Sequence, residues 1–131
     1  MRPRLLVLDE PTGGLDRRLT HELMDLLEGL VAAGTGVLLI THDMRLVAEH
    51  ATRLVVLHRG AVIADGPTAA VLGDQLVLDR AGIVAPEVVR LARALGLPVT
   101  LTAEAFCEAF VARLTAGRAR PGGGASGERR I

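Results

Sequence analysis

A twelve-residue stretch near the start constrains the fold more than any other: Leu5, Leu6, Val7 and Leu8, the carboxylates Asp9 and Glu10, then Pro11, Thr12, Gly13, Gly14, Leu15 and Asp16. A short continuous apolar run bounded by turn residues predicts a strand buried on both faces. Asp9 and Glu10 then sit at its carboxyl end, the edge of an open parallel sheet where ligands bind. Two adjacent acids at that edge are costly unless a cation or ordered water uses them. The plainer alternative is that the acids open a loop and Asp16 only caps the next helix.

From Asp16 to about Ala33 the pattern is helical. Leu19, Leu23, Leu26, Leu27 and Leu30 fall on one face, and Gly34 and Gly36 end the helix. His21, Glu22, Asp25 and Glu28 lie off that stripe and read as solvated. Val37, Leu38, Leu39 and Ile40 form a second apolar run, closed by Thr41, His42 and Asp43. Strand, helix, strand is a right-handed crossover unit with parallel strands at 5–9 and 37–41. Asp9, Glu10 and His42 are therefore expected on one sheet edge, with Asp43 capping a helix over 44–51 that turns Leu46 and Val47 inward.

Residues 54–57 and 61–64, separated by His58, Arg59 and Gly60, predict a β-hairpin. His58 and Arg59 read as turn residues. Gly66, Pro67 and Thr68 open a helix through about Leu72. From Gly73 the pattern changes: a helical or extended connection over 76–83, an amphipathic helix over 86–95 started by Pro86, a break at Gly96, Leu97 and Pro98, and a last helix from Thr102 through Leu114. Gly117 to Ile131 is rich in Gly and Arg and predicts a disordered tail. The division is thus 1–72, 73–116 and 117–131.

Fifteen basic and fifteen acidic residues cancel, so no global field points to nucleic acid or to membrane lipid. The apolar half of the chain is almost entirely aliphatic, with two Phe and no Trp or Tyr, so no aromatic platform exists for stacking bases. Cys107 is single, which excludes an internal disulfide and a paired-cysteine zinc site and reads as a buried or inert thiol. No apolar run reaches the length of a membrane span.

The stretch from Leu5 to Asp16 resembles the Walker B and D-loop segment of ATP-binding cassette (ABC) ATPases. His42, by its spacing, resembles their switch histidine, and the order of helix, hairpin and Pro-started helix up to residue 72 resembles the close of their nucleotide-binding domain. The string from Ala81 through Pro98 is similar, more loosely, to the C-terminal extension of cobalt-type energy-coupling factor ATPases. The resemblance implies an α/β fold: part of a P-loop NTPase sheet with parallel core strands, then a hairpin and a small helical extension. It implies ATP and Mg²⁺ as cofactors. Asp9 would hold magnesium through water, Glu10 would orient or deprotonate the attacking water, and His42 would contact the γ-phosphate. Asp16, with Gly14 in the same loop, would reach across a nucleotide-sandwich dimer. The implied partners are a second ATPase subunit and a transmembrane transporter subunit, not nucleic acid. The implied location is cytoplasmic, on the inner face of the cell membrane.

The resemblance begins partway through the family's domain. The Gly-x-x-x-x-Gly-Lys-Ser/Thr phosphate loop, the glutamine loop and the signature motif do not occur in these residues, and every basic side chain apart from the histidines is Arg. Met1 is then expected to mark a truncation, a misassigned start or a broken gene, three readings the sequence leaves open. In the resembled fold the phosphate-loop strand lies between the strands at 37–41 and 54–57, so a gap is expected there. Without N–H groups and a cation to offset Asp9 and Glu10, the chain alone is expected not to hydrolyse ATP. The competing reading is a non-catalytic remnant or docking module that binds another ATPase subunit. ABC ATPases of DNA repair or translation fit less well, because paired cysteines, long coiled coils and a second cassette are all missing from the sequence.

Overall fold

The computed structural model describes residues 4–118. The strand–helix–strand unit forms as expected: β1 (Leu5–Asp9), α1 (Arg17–Ala32) and β2 (Gly36–Ile40), with β1 and β2 parallel and Asp9 opposite Ile40. Asp16 starts α1, its carboxylate accepting the Leu19 N–H at 2.8 Å. After β2, Asp43 caps α2 (Met44–His50) by accepting the N–H groups of Arg45 and Leu46. The hairpin follows as β3 (Arg53–His58) and β4 (Ala61–Pro67). Its two-residue turn, Arg59 and Gly60, has φ of 49° and 77°, the all-positive geometry that matches strand twist. Arg53 grips Asp65 across the hairpin with two parallel bonds of 2.8 Å.

Four helices complete the fold: α3 (Thr68–Gly73), α4 (Gln75–Ala81), α5 (Glu87–Ala94) and α6 (Ala103–Arg118). Asp74 caps α4 and Gly82, at φ 69°, ends it. The Thr102 hydroxyl accepts the Ala105 N–H at 3.2 Å, as expected of a cap. Arg93 on α5 reaches back to the Gly73 carbonyl at 3.1 Å and contacts Gln75, tying α5 to the α3–α4 junction.

Two apolar clusters hold these elements. In one, Met24, Leu27 and Leu46 cover Leu6, Leu8, Val37 and Leu39 from one side of the β1–β2 pair. In the other, Ala48, Leu72, Leu78, Ala85 and Val89 meet, drawing on both sides of residue 72. The Glu28 carboxylate bonds His50 Nδ1 at 2.7 Å and links α1 to α2.

Several expectations are corrected. β1 and β2 are covered on one face only: Leu5, Val7, Leu38 and Ile40 remain 49–59% exposed on the other. The described chain places α1 and α2 on one side of this pair and nothing on the other, and an apolar run cannot by itself reveal how many layers will cover it. The buried stripe of α1 runs through Met24 and Leu27, while Leu19 and Leu26 are exposed, because a helix face this rich in leucine fits several rotations. Glu22 and Glu28 are exposed as expected, and each still finds a partner, Glu22 in Arg18 at 2.9 Å and Glu28 in His50. Of the two forms expected for the connection at 76–83, the helical one is found, with Leu78 fully buried. Cys107 is exposed. Gly117 and Arg118 belong to α6, and the remainder of the expected tail, 119–131, lies outside the described residues.

The sheet is also divided. Among the described residues β1 pairs with β2, β3 pairs with β4, and the two pairs do not join. No helix among the described residues is long and apolar enough to cross a membrane.

Candidate functional site

The carboxyl ends of β1 and β2 bring Glu10 and His42 together across 32 positions of sequence. The chain leaves β1 with the Glu10 N–H donating to the Ile40 carbonyl at 2.8 Å, one more rung of the parallel ladder. Glu10 then turns sharply, at φ 44°, a left-handed conformation that side chains rarely adopt. A tight turn follows: Gly13 N–H bonds the Glu10 carbonyl at 3.1 Å, and Leu15 N–H bonds that of Thr12. Gly14 sits at φ 78° with open space where a Cβ would be, so the backbone conformation, not crowding, favours glycine there.

The Glu10 carboxylate is held by three groups from the end of β2. His42 backbone N–H donates to Oε1 at 3.0 Å, His42 Nδ1 lies 2.7 Å from the same oxygen, and the Thr41 hydroxyl makes a longer 3.4 Å contact to Oε2. Thr41 in turn accepts the Asp43 N–H at 3.1 Å. The His42 hydrogen bond holds the Glu10 carboxyl below the usual glutamate range, and Glu10 pushes the His42 imidazole above its usual range. Both side chains reach solvent, His42 almost entirely, so the pair is open to a ligand.

The other expected residues fall as follows. Asp9 ends β1 beside Glu10 and is exposed. Among the described residues no three His, Cys, Asp or Glu side chains cluster as a metal site. Asp16 is engaged as the α1 cap through Oδ1. Thr41 is the participant that sequence reasoning passed over; its position beside His42, one step beyond the Asp9–Ile40 rung, is the signal that could have found it. Arg17 and His21, both exposed at the start of α1, line a groove shared with Thr41 and His42.

No family model matches the chain. Individual proteins do. The cobalt import ATP-binding protein CbiO of Rhodobacter capsulatus is 47% identical over 92 residues, covering 70% of this chain and 33% of that protein. The hemin import ATP-binding protein HmuV of Nitrobacter winogradskyi is 45% identical over 75 residues, covering 57% of this chain and 28% of that protein. Among solved structures, cbiO1 from Clostridium perfringens, described as part of the ABC transporter complex cbiONQ, superposes with a TM-score of 0.50 at 29% identity. It covers 72% of this chain and 37% of its own length. Over relatives such as these the chain spans 13% to 33% of their length. By sequence and by fold, the chain is homologous to ABC transporter ATP-binding proteins over part of their length.

Proposed function

We propose that this chain supplies the magnesium-binding and water-activating half of the ATP site of an ABC importer ATPase of the energy-coupling factor type. The observation that carries the reading is the Glu10–His42 contact at the shared carboxyl edge of two parallel strands. Phosphoryl transfer demands positioning and charge stabilisation more than covalent chemistry. Asp9 would hold magnesium, largely through water. Glu10 would accept the proton of the attacking water. Its Oε1 is taken by two His42 nitrogens and its Oε2 carries only the long Thr41 contact, so Oε2 would be the oxygen offered to the water, and the lowered pKa favours the ionised form. His42, kept readily protonated by Glu10, would meet the γ-phosphate. Asp16 and Gly14 would face a second ATPase subunit, and a transmembrane subunit would hold the assembly at the inner membrane face.

The phosphates need converging N–H groups and a lysine that these residues do not supply. Alone, the 131 residues are expected to leave Mg-ATP intact. The test is Glu10→Gln in an assembly that joins this chain to a phosphate-loop polypeptide and hydrolyses ATP. Turnover should fall by about 10²–10⁴ while nucleotide binding is kept, the usual range for a general base. Hydrolysis at the parent rate would remove Glu10 from that role. A second reading, a non-catalytic module docking on another ATPase subunit, draws on the bare apolar face of Leu5, Val7, Leu38 and Ile40.

A further inference from the structure

We infer that Thr41 is a positioning residue for Glu10: its hydroxyl and the His42 backbone N–H form a fixed two-point cradle that sets the plane of the Glu10 carboxylate, whichever way the His42 ring turns. The inference rests on the reading of Glu10 as the general base and adds to it a residue that reading leaves without a role.

The direction of the hydroxyl is settled by its neighbours. Thr41 Oγ1 accepts the Asp43 N–H at 3.1 Å. A hydroxyl has one hydrogen and two acceptor lone pairs, so that contact leaves the hydrogen unused. Among the described residues the acceptor it meets is Glu10 Oε2, at 3.4 Å. An ionised carboxylate only accepts, so Thr41 is the donor. The Asp43 N–H keeps the hydroxyl from turning away, and the branched Cβ restricts χ1 further. Thr41 is half-buried, whereas the His42 side chain is 91% exposed. Of the two side chains on Glu10, one is anchored and the other is free to swing.

Glu10 has need of that anchor. Its backbone is fixed by the 2.8 Å bond to the Ile40 carbonyl and by the turn at φ 44°. Its carboxylate is not fixed by the chain itself, because the last torsion of a glutamate is broad. The plane is set by what the two oxygens meet: the His42 N–H on Oε1 at 3.0 Å and the Thr41 hydroxyl on Oε2. One donor on each oxygen, from consecutive residues of one backbone, stops rotation, while one donor alone leaves a pivot. An oxygen of a carboxylate has about two lone-pair sites, so Thr41 occupies one on Oε2 and leaves the other for water. The contact is open compared with the about 2.5–2.7 Å of a closed hydroxyl–carboxylate bond. Catalytic hydrogen bonds are often long before substrate binds and tighten in the complex, and this one is expected to close in the assembled site.

Two measurements test the assignment. The first uses the full 131-residue chain without nucleotide, carrying His42→Ala so that only the two fixed donors hold Glu10. NMR order parameters of the Glu10 side-chain methylenes should be high there, fall below about 0.6 when Thr41→Val is added, and recover when Thr41→Ser is used instead. Order unchanged by Thr41→Val, or already low with Thr41 in place, would overturn the inference and leave the Glu10→Gln test of the ATP site standing. The second uses the ATP-hydrolysing assembly with Mg-ATP. Thr41→Val should lower kcat by about tenfold to a hundredfold, the scale of a misplaced group, with KM held within about twofold. Thr41→Ser should recover most of that loss. Added to Glu10→Gln, Thr41→Val should cost less than about twofold more, because its route to the chemistry is already gone. An equal cost in both backgrounds would assign the effect to the Asp43 turn and overturn the inference, as would parent kcat in Thr41→Val. Parent-rate hydrolysis by Glu10→Gln alone would remove the reading beneath the inference, and the inference with it.

Discussion

The region that holds the candidate site and the region around the second apolar cluster are covered to different degrees. Around Leu72, Leu78 and Val89, all fully buried, four helices and the hairpin wrap a core from every side. Around β1 and β2, one helical layer covers one face while Leu5, Val7, Leu38 and Ile40 stay about half exposed. The difference follows from sequence pattern. Strands that are apolar on both faces ask for two covering layers, and the described residues bring one. Helices apolar on one stripe need only one partner, which α3 to α5 find in each other. The half with the candidate site is therefore the less covered half.

The sharpest way to break this comparison is to truncate one leucine in each region and measure urea unfolding. Leu78→Ala should cost about 2–5 kcal/mol, the loss of transfer energy plus a cavity. Leu38→Thr, on the bare face, should change stability by no more than about 0.5 kcal/mol and reduce aggregation. Equal costs at the two sites would mean that the open face is covered in solution. A smaller effect sharpens the same contrast: Asp74→Ala removes the carboxylate that accepts the Leu76 and Val77 N–H groups. It should cost about 1 kcal/mol, read as a shift in the denaturant midpoint at constant slope. A change in slope as well would show that α4 unfolds apart from the core.

The smallest effect concerns the exposed pair. Glu10 has a lowered pKa, so its share of the interaction is present above its unfolded value and lost as pH falls through the lowered one. His42 has a raised pKa, so its share is present below its unfolded value and lost as pH rises through the raised one. The ion pair is complete between those two limits. With both groups in solvent, global stability hardly registers it. An NMR titration of the His42 ring does: its midpoint should lie above that of an ordinary histidine and fall back in Glu10→Gln. A midpoint unmoved by that substitution would show that the two side chains do not meet in solution.

Much of the fold was legible because its signals are local. Apolar runs ending in turn residues marked β1 and β2, Asp16 and Asp43 marked the helix starts, and the spacing of 58–60 marked the hairpin turn. What escaped depends on neighbours far along the chain. The choice of Met24 over Leu19 for the buried stripe is decided by how α1 docks, not by its own pattern. The covered face of β1 is decided by which elements lie above it. The meeting of Glu10 with His42 was expected only as a shared edge. The bond itself needs the left-handed turn at Glu10, which no residue preference announces, and the hydroxyl of Thr41, which looks like ordinary strand punctuation.

The rung between Asp9 and Ile40 sets more than pairing. Glu10 and His42 are cantilevered from that rung by one and two residues, so the distance between them is a readout of strand alignment. A slip of one residue in β2 would carry His42 about 3.3 Å along the edge and turn its side chain to the opposite face. Acid and imidazole would part without either being altered. The Glu10–His42 pair therefore works as a vernier on the ladder behind it: any substitution that loosens the grip of α1 on Val37 and Leu39 is expected to show first as a lengthened contact between the two, well before the strands separate.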